Sequence, residues 1–373
     1  MQRAGCGWYA DALARAIAEV MSAEDELLLY HHFGDWINVR TDEGTVIEAP
    51  RVHMPLLQLT AREAARVWAN PSDPLLGRPE IVHATSFRAP RVPGARLVFT
   101  VHDVAFWTVP EYTTDENRLA CQTGMLQALD TADGLIFISQ STRDEFERIL
   151  PGWADHRGLP TAVIHSAARK IGSPGGPSGA LPAGLGGDAS SSLYWLAVGT
   201  IEPRKNYDAL VRALQRYRER SARPVPIVFA GSDGWKSASL HEEFARLERE
   251  GSVRWLGYVS EPDLIALYQH ARGLLFPGWY EGFGLPVLEA MGNGCPVISS
   301  DRTSLREVGG DAALYIDPAV PETIADAMLA LEREADLTAI REAGHRQARK
   351  FTWEKTASET RQFYDVVLAS RLR

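Results

Sequence analysis

Short apolar runs alternate with longer amphipathic segments along almost the whole chain, and this alternation limits the available folds more than any other feature. The runs are Glu26–Tyr30, Ile81–Thr85, Leu97–His102, Leu135–Ser139 and Ala162–His165, then Leu193–Val198, Val225–Ala230, Val253–Leu256, Gly273–Phe276, Pro296–Ser299 and Ala313–Ile316. Helical patterns at Trp8–Val20, Ala61–Ala69, Asn117–Thr131, Tyr207–Arg220 and Pro262–His270 lie between them. Strands separated by helices pair in parallel, because only a crossover of helical length returns the chain to the same end of a sheet. Two series of this kind predict two doubly wound α/β domains, and 373 residues suit two domains of about 150–200 residues each.

The boundary between them is legible. Gly172–Ser192 reads GSPGGPSGALPAGLGGDASSS, with almost no large apolar side chains to bury, so it is expected to be an exposed linker. The expected division is therefore a first domain at 1–170, a linker at 171–192 and a second domain at 193–351. Thr352–Leu372 forms a final helix whose apolar side carries Trp353, Ala357, Phe363, Tyr364 and Val367. One oddity stands at the start: RAGCGWYADALARAI opens directly in a glycine-containing loop, where a doubly wound domain normally begins with a strand. The expectation is that the first strand is missing, through a misplaced start.

Composition excludes several classes. No stretch approaches the ~18 consecutive apolar residues of a spanning helix, and no charged-then-apolar leader opens the chain. Cys6, Cys121 and Cys295 are too few and too scattered for a disulfide framework or a zinc site, and fit a reducing cytoplasm. The net charge of −9 argues against general nucleic-acid binding. Residues 1–168 hold 22 acidic residues against 14 arginines and no lysine, which opposes attraction to an anionic membrane beyond peripheral contact.

The richest segment is Phe276–Pro296, FPGWYEGFGLPVLEAMGNGCP. Gly282 and Gly284 flank Phe283 immediately before a helix opening at Leu285–Pro286, where a proline's missing N–H costs nothing. Glycines at a helix start let a ligand approach the backbone, and the positive dipole end favours anions. Glu281 lies on the loop side and Glu289 about one turn into the helix, so the two carboxylates reach different parts of an elongated ligand. A plain capping loop with solvated glutamates accounts for these two residues equally well. A second segment, Gly199–Asn206, GTIEPRKN, follows a strand and precedes a helix. Arg204 and Lys205 stand there at the carboxyl end of a strand, where open α/β sheets bind ligands. A forked guanidinium beside a point-charge ammonium suits a diphosphate. Positive charge at a helix start opposes the dipole, so an offsetting anion is expected.

In the first half, VHDVAF at Val101–Phe106 puts His102 and Asp103 at the end of another strand. Such a histidine is more often structural than catalytic. No Walker-type phosphate loop, no GxGxxG after a first strand and no GxSxG elbow occurs, and no His/Cys cluster has metal-ligand spacing.

These residues carry a resemblance. GTIEPRKN and YEGFGLPVLEAMGNGCPVISSDRTSLREVGGDAALYIDP resemble the donor-binding signatures of family 4 retaining glycosyltransferases, and Glu281 to Glu289 matches that family's Glu-x7-Glu spacing. GCGWYADALARAI, VHDVAFWTVPEY, FISQSTRDEF, VRWLGYVSEPDLIALYQHA and FTWEKTA extend the match over nearly the whole chain, in wording most similar to mannosyltransferases of cell-surface polysaccharide assembly. Two positions depart from the pattern: Trp8 stands where the family usually has Arg, and AVIHSAAR replaces the usual Asn-Gly pair after the interdomain strand.

The resemblance implies the GT-B fold, with two Rossmann-like domains facing a central cleft and the C-terminal helix crossing back to the first domain. It implies a retaining, metal-independent hexosyltransferase with no cofactor. The donor is a nucleotide-sugar, GDP-mannose favoured and UDP- or dTDP-hexose possible, and the acceptor a glycan or lipid-linked glycan. Arg204 and Lys205 would hold the diphosphate, Glu289 the ribose hydroxyls and Glu281 the transferred sugar. Backbone N–H groups of Gly282, Phe283, Gly284 and Leu285 would meet sugar and phosphate, with Gly199 in the adjoining loop. Gly5 and Gly7 would form a first-domain loop against the diphosphate, and His102 would align the sugar. The site of action implied is cytoplasmic, at most peripheral at the inner membrane face. A non-catalytic nucleotide-sugar-binding or complex-forming member of the same fold is the alternative. An enzyme that cleaves or epimerises nucleotide-sugars is a third.

Overall fold

The structure is a computed structural model describing residues 5–30, 46–87, 89–169, 181 and 194–370. The chain forms two compact units: Met1–Val104, Leu119–Ser166 and Thr352–Arg373 make the first, and Ala105–Arg118 with Ala167–Phe351 the second. Apart from Leu181, the expected linker lies outside the described residues.

The first unit holds a two-stranded parallel pair, β1 (Leu27–Leu28) and β2 (Val52–His53). It also holds a four-stranded parallel sheet in sequential order, β3 (Ile81–Ala84), β4 (Arg96–Val101), β5 (Gly134–Phe137) and β6 (Thr161–Val163). Among the described residues the chain opens not in a loop but in the helix Gly5–Val20, which buries Tyr9, Leu13, Ala16 and Ile17. That helix packs on the last one, Trp353–Ala369. The last helix belongs to this unit because Phe363 and Val367 join Val98, Ile136 and Ile164 in one buried cluster. Thr352 caps its start, the Thr356 hydroxyl donates to the His165 carbonyl at 2.7 Å, and Arg96 donates to the Ser370 carbonyl at 2.8 Å.

The second unit contains one six-stranded parallel sheet of β7 (Trp195–Val198), β8 (Ile227–Ala230), β9 (Val253–Trp255), β10 (Gly273–Phe276), β11 (Val297–Ser300) and β12 (Ala313–Ile316). Its spatial order is β12-β11-β10-β7-β8-β9. Counted from β7 this is 3-2-1-4-5-6, the doubly wound dinucleotide-type order, with the winding reversed between β7 and β10. β7, β8, β10 and β11 are buried along their full length, as a parallel sheet covered on both faces requires. Trp195, Tyr207, Tyr217, Phe229 and Phe244 dominate the core on one side of it. Ala105–Arg118 joins this unit, although the sequence places it in the first domain. The Trp235 indole donates to the Tyr112 carbonyl at 2.6 Å and Lys236 to the Glu111 carbonyl at 2.7 Å.

Gly134 shows how tightly the last helix is seated. A Cβ there would lie 2.6 Å from Val367 Cγ2 and 3.1 Å from Phe363 Cε1, both on buried side chains. Gly134→Ala should therefore push the helix outward and destabilise the first unit by roughly 1–3 kcal/mol. The urea midpoint of unfolding measures this, and an unchanged midpoint would show that the helix is not closely docked there.

Candidate donor-binding site

The reversal point of the six-stranded sheet brings the two segments singled out in the sequence together. After β7 the chain turns through Gly199, at φ +142°, then through a single 3-10 turn, Pro203–Lys205. Glycine is favoured at 199 because L side chains rarely adopt that φ, and a Cβ would also crowd Lys205 Cε at 3.0 Å and the Tyr207 hydroxyl at 3.1 Å. After β10 the chain runs through Pro277–Gly284 into the helix Leu285–Gly292. Gly284, at φ +100°, makes the turn into that helix, and Leu305 Cδ2 would lie 2.6 Å from a Cβ added there.

Backbone and side-chain bonds join the two loops. Trp279 N–H donates to the Arg204 carbonyl at 2.9 Å, and Arg204 Nη1 donates to the Tyr280 carbonyl at 3.0 Å. Asn206, in the left-handed conformation, donates to the Pro277 and Pro318 carbonyls at 3.2 and 2.8 Å. Glu281 is held from its other side as well: its N–H donates to Thr303 Oγ1 at 3.0 Å and its carbonyl accepts from Ser304 Oγ at 2.8 Å.

At the centre lies a charged cluster. Lys205 Nζ donates to Glu281 Oε1 at 2.7 Å and rests 4.9 Å from the Phe276 ring centroid. Arg204 donates to Glu281 Oε2 at 3.1 Å and to Glu202 Oε1 at 2.7 Å. The anions expected to offset the cations are thus present in the chain itself, as Glu202 and Glu281. Burial raises the Glu281 pKa, but the charges and hydrogen bonds of Lys205 and Arg204 outweigh it and hold the carboxyl below its ordinary value. Burial also raises the Tyr207 hydroxyl pKa, helped by the Glu281 and Glu202 charges.

Glu289 is spoken for too. Arg169 grips it with both arms of its guanidinium, Nε on Oε1 and Nη2 on Oε2, the latter at 3.0 Å. The buried Tyr268 hydroxyl donates to Oε2 at 3.0 Å. Burial alone would lower the Arg169 pKa, but the Glu289 carboxylate more than reverses this and raises it.

Gly199, Arg204, Lys205, Glu281, Gly282, Phe283, Gly284, Leu285 and Glu289 all fall within this one region of the second unit. Phe283 is buried and meets Phe351 edge-on at 5.9 Å, so only its backbone is available to a ligand. Gly5, Gly7 and His102 belong to the first unit. Gly5 and Gly7 lie in the first turn of a helix rather than in a loop before it, a correction to the sequence reading. His102 Nε2 donates to the Thr85 carbonyl at 2.8 Å, and Tyr9 meets its ring edge-on at 4.9 Å. Burial lowers the His102 pKa, but Cys6, the Thr85 carbonyl and Asp103 together raise it above the ordinary value.

Glu202, Arg169 and Tyr268 were missed by sequence reasoning. Glu202 stands inside GTIEPRKN and could have been found there as the carboxylate nearest Arg204. Arg169 and Glu289 are 120 positions apart, and nothing local links them. Among the described residues no group of three or more His, Cys, Asp or Glu is placed to hold a metal ion. Among the same residues no helix is long and apolar enough to cross a membrane.

Two α/β units with parallel sheets, the second in Rossmann-like order, are the architecture of the GT-B class of glycosyltransferases. Structural likeness agrees. Sucrose-phosphate synthase from Thermosynechococcus elongatus aligns at TM-score 0.70 and 19% identity, over 99% of this chain and 94% of that one. Anabaena HepE, solved with UDP and glucose, aligns at TM-score 0.66 and 17% identity, over 98% and 96%. Residues 188–350 match the family of glycosyl transferases group 1. Escherichia coli O-antigen chain mannosyltransferase B is 35% identical over 273 residues, 73% of this chain and 71% of that protein. The serotype-specific mannosyltransferase WbdA of the same species is 28% identical over 261 residues, 67% of this chain but only 31% of that protein. The chain belongs to the glycosyl transferases group 1 family.

The depressed pKa of Glu281 has a consequence for acid stability. A carboxyl with a lowered folded pKa contributes stability in full above its ordinary value of 4.5, and loses it as pH falls from there through the folded value. Glu281→Gln should therefore flatten the acid limb of the second unit's stability curve below about pH 4.5. Thermal melts from pH 3 to 7 measure this, and parallel curves for parent and variant would show that Glu281 gains nothing from its cations.

Proposed function

We propose that the chain is a retaining hexosyltransferase that moves mannose from GDP-mannose to a glycan or lipid-linked glycan acceptor. The observation that carries the reading is the cluster of Arg204, Lys205 and Glu281 at the reversal point of the second sheet. The names of its relatives, O-antigen chain mannosyltransferase B and WbdA, support mannose as the sugar and a surface polysaccharide as the setting. The UDP and glucose in the HepE structure favour a second donor, a UDP-hexose. A dTDP-hexose belongs in the same comparison.

In this reading the donor diphosphate binds beside Arg204 and Lys205. The two cations stabilise the charge that builds on the nucleoside diphosphate as the glycosidic bond breaks. A unit charge ~4 Å from a cation gains about 4 kcal/mol at the effective dielectric of a partly buried site, enough to matter for a leaving group. Because these cations fill the electrophile's role, the reading needs no metal ion and no other cofactor. Glu281 touches the transferred sugar, Glu289 the ribose, and the backbone of Gly282–Leu285 the sugar and phosphate. The acceptor oxygen bonds to the anomeric carbon on the same face from which the diphosphate leaves, and the leaving phosphate oxygen takes the acceptor's proton, so the anomeric configuration is kept. The site of action is cytoplasmic, with at most peripheral contact at the inner membrane face.

The experiment is a donor screen with GDP-, UDP- and dTDP-hexoses, read first as thermal stabilisation and then as sugar transfer, with the product's anomeric configuration set by NMR. A donor at 100 times its dissociation constant adds about 2.7 kcal/mol. Retained configuration and transfer that survives a chelator are expected; inversion, or strict dependence on Mg²⁺ or Mn²⁺, contradicts the mechanism. Binding without transfer or hydrolysis would favour the non-catalytic alternative.

Two variants probe the roles assigned. Arg204→Ala should weaken nucleoside diphosphate by roughly 1.5–3 kcal/mol, while Lys205 keeps Glu281 paired. Titration calorimetry measures this, and unchanged affinity removes Arg204 from the diphosphate site. Glu281→Gln should lower kcat in steady-state assays, since a contact to the transferred sugar acts in the transition state, and should not weaken nucleoside-diphosphate binding, because Arg204 and Lys205 lose the carboxylate that a phosphate would compete with.

A further inference from the structure

Glu289, the residue assigned above to the ribose, has little room for one. It is 2% exposed and already accepts three hydrogen bonds, two from Arg169 and one from Tyr268. A carboxylate offers about four lone-pair sites, and a vicinal diol brings two donors that need two of them. Five donors do not fit, so one present partner must leave when a ribose arrives. Tyr268 cannot: it is 1% exposed and packed within the helix Glu261–His270. Arg169 can, because its side chain is 22% exposed and ends a long, rotatable stem.

We propose that Arg169 is a built-in competitor for the nucleotide's ribose at Glu289, and so a residue that sets donor affinity and ribose specificity. In the free protein its guanidinium keeps a buried carboxylate paired and aimed. On donor binding the fork of two N–H groups is exchanged for the fork of two ribose hydroxyls. A buried carboxylate left with one partner is costly, so only a ligand bringing both donors makes the exchange favourable. The site thereby discriminates against nucleotides that lack the vicinal diol. The proposal rests on the assignment of Glu289 to the ribose, and its test keeps the two apart.

The intact chain is titrated at pH 8 with GDP and UDP, each beside its 2′,3′-dideoxy counterpart, in the parent, Arg169→Met and Arg169→Lys. The parent should prefer the ribonucleotide for whichever base it binds. Arg169→Met should bind that ribonucleotide about tenfold more tightly than the parent, with binding of the dideoxy form changed much less. Arg169→Lys keeps the charge but loses the fork, and should fall between the two. Equal or weaker ribonucleotide binding by Arg169→Met, in a parent that does prefer ribose, overturns the competitor and makes Arg169 a supporting contact. A parent indifferent to the ribose hydroxyls overturns the assignment of Glu289 itself, and the competitor with it. Should Arg169→Met not fold, Arg169→Lys decides alone: tighter ribonucleotide binding than the parent supports the proposal, and unchanged or weaker binding overturns it.

Discussion

Glu281 is the point on which the second unit's site depends. It is buried, and the cost of taking a carboxylate from water is met only because Lys205 and Arg204 reach it from another loop. Those two cations come from the segment after β7 and the carboxylate from the segment after β10, so one charge cluster fastens the loops on either side of the winding reversal. Gly199 lets Lys205 lie across its own loop, Asn206 ties the base of the turn to Pro277, and Thr303 and Ser304 hold the Glu281 backbone. Each is a local adjustment to one buried ion group.

Such a cluster is poised rather than inert. Buried ion groups contribute little to stability compared with well-packed apolar residues, but losing one member leaves a charge stranded. In the reading proposed above, a ligand's phosphates share the cations that Glu281 and Glu202 now hold, and a sugar shares the carboxylate. The internal partners therefore do two things: they tie the two loops together, and they hold charges already stripped of water. Arg169 and Tyr268 stand to Glu289 in the same relation, one turn further along.

The secondary structure was largely legible before the fold was known. The strands at Gly273–Phe276 and Ala313–Ile316 and the helices Ala61–Ala69 and Tyr207–Arg220 have the boundaries their patterns predict. A buried parallel strand is a continuous apolar run and an amphipathic helix has a 3.6-residue period, so both signals are local. β2 was overlooked because Val52–His53 is two residues long, too short to show any alternation. The start was misjudged for a different reason: the glycines at 5 and 7 suggested a loop, but Tyr9, Leu13, Ala16 and Ile17 bury one continuous face and draw Gly5 and Gly7 into the helix.

By itself, the sequence determined the α/β class, the two series of strands, and which charged residues stand just past the strand ends, since each depends on neighbours a few positions away. Only the tertiary structure decided what those residues touch. Arg204 and Lys205 met Glu281 across some 76 positions and Arg169 met Glu289 across 120, pairings created by sheet order and invisible to any local pattern. The assignment of Ala105–Arg118 to the second unit was settled likewise, by Trp235 and Lys236 bonding to carbonyls more than a hundred residues earlier. Spacing along the chain sets which chemistry is present, whereas the winding of the sheet sets which charges must share a buried space.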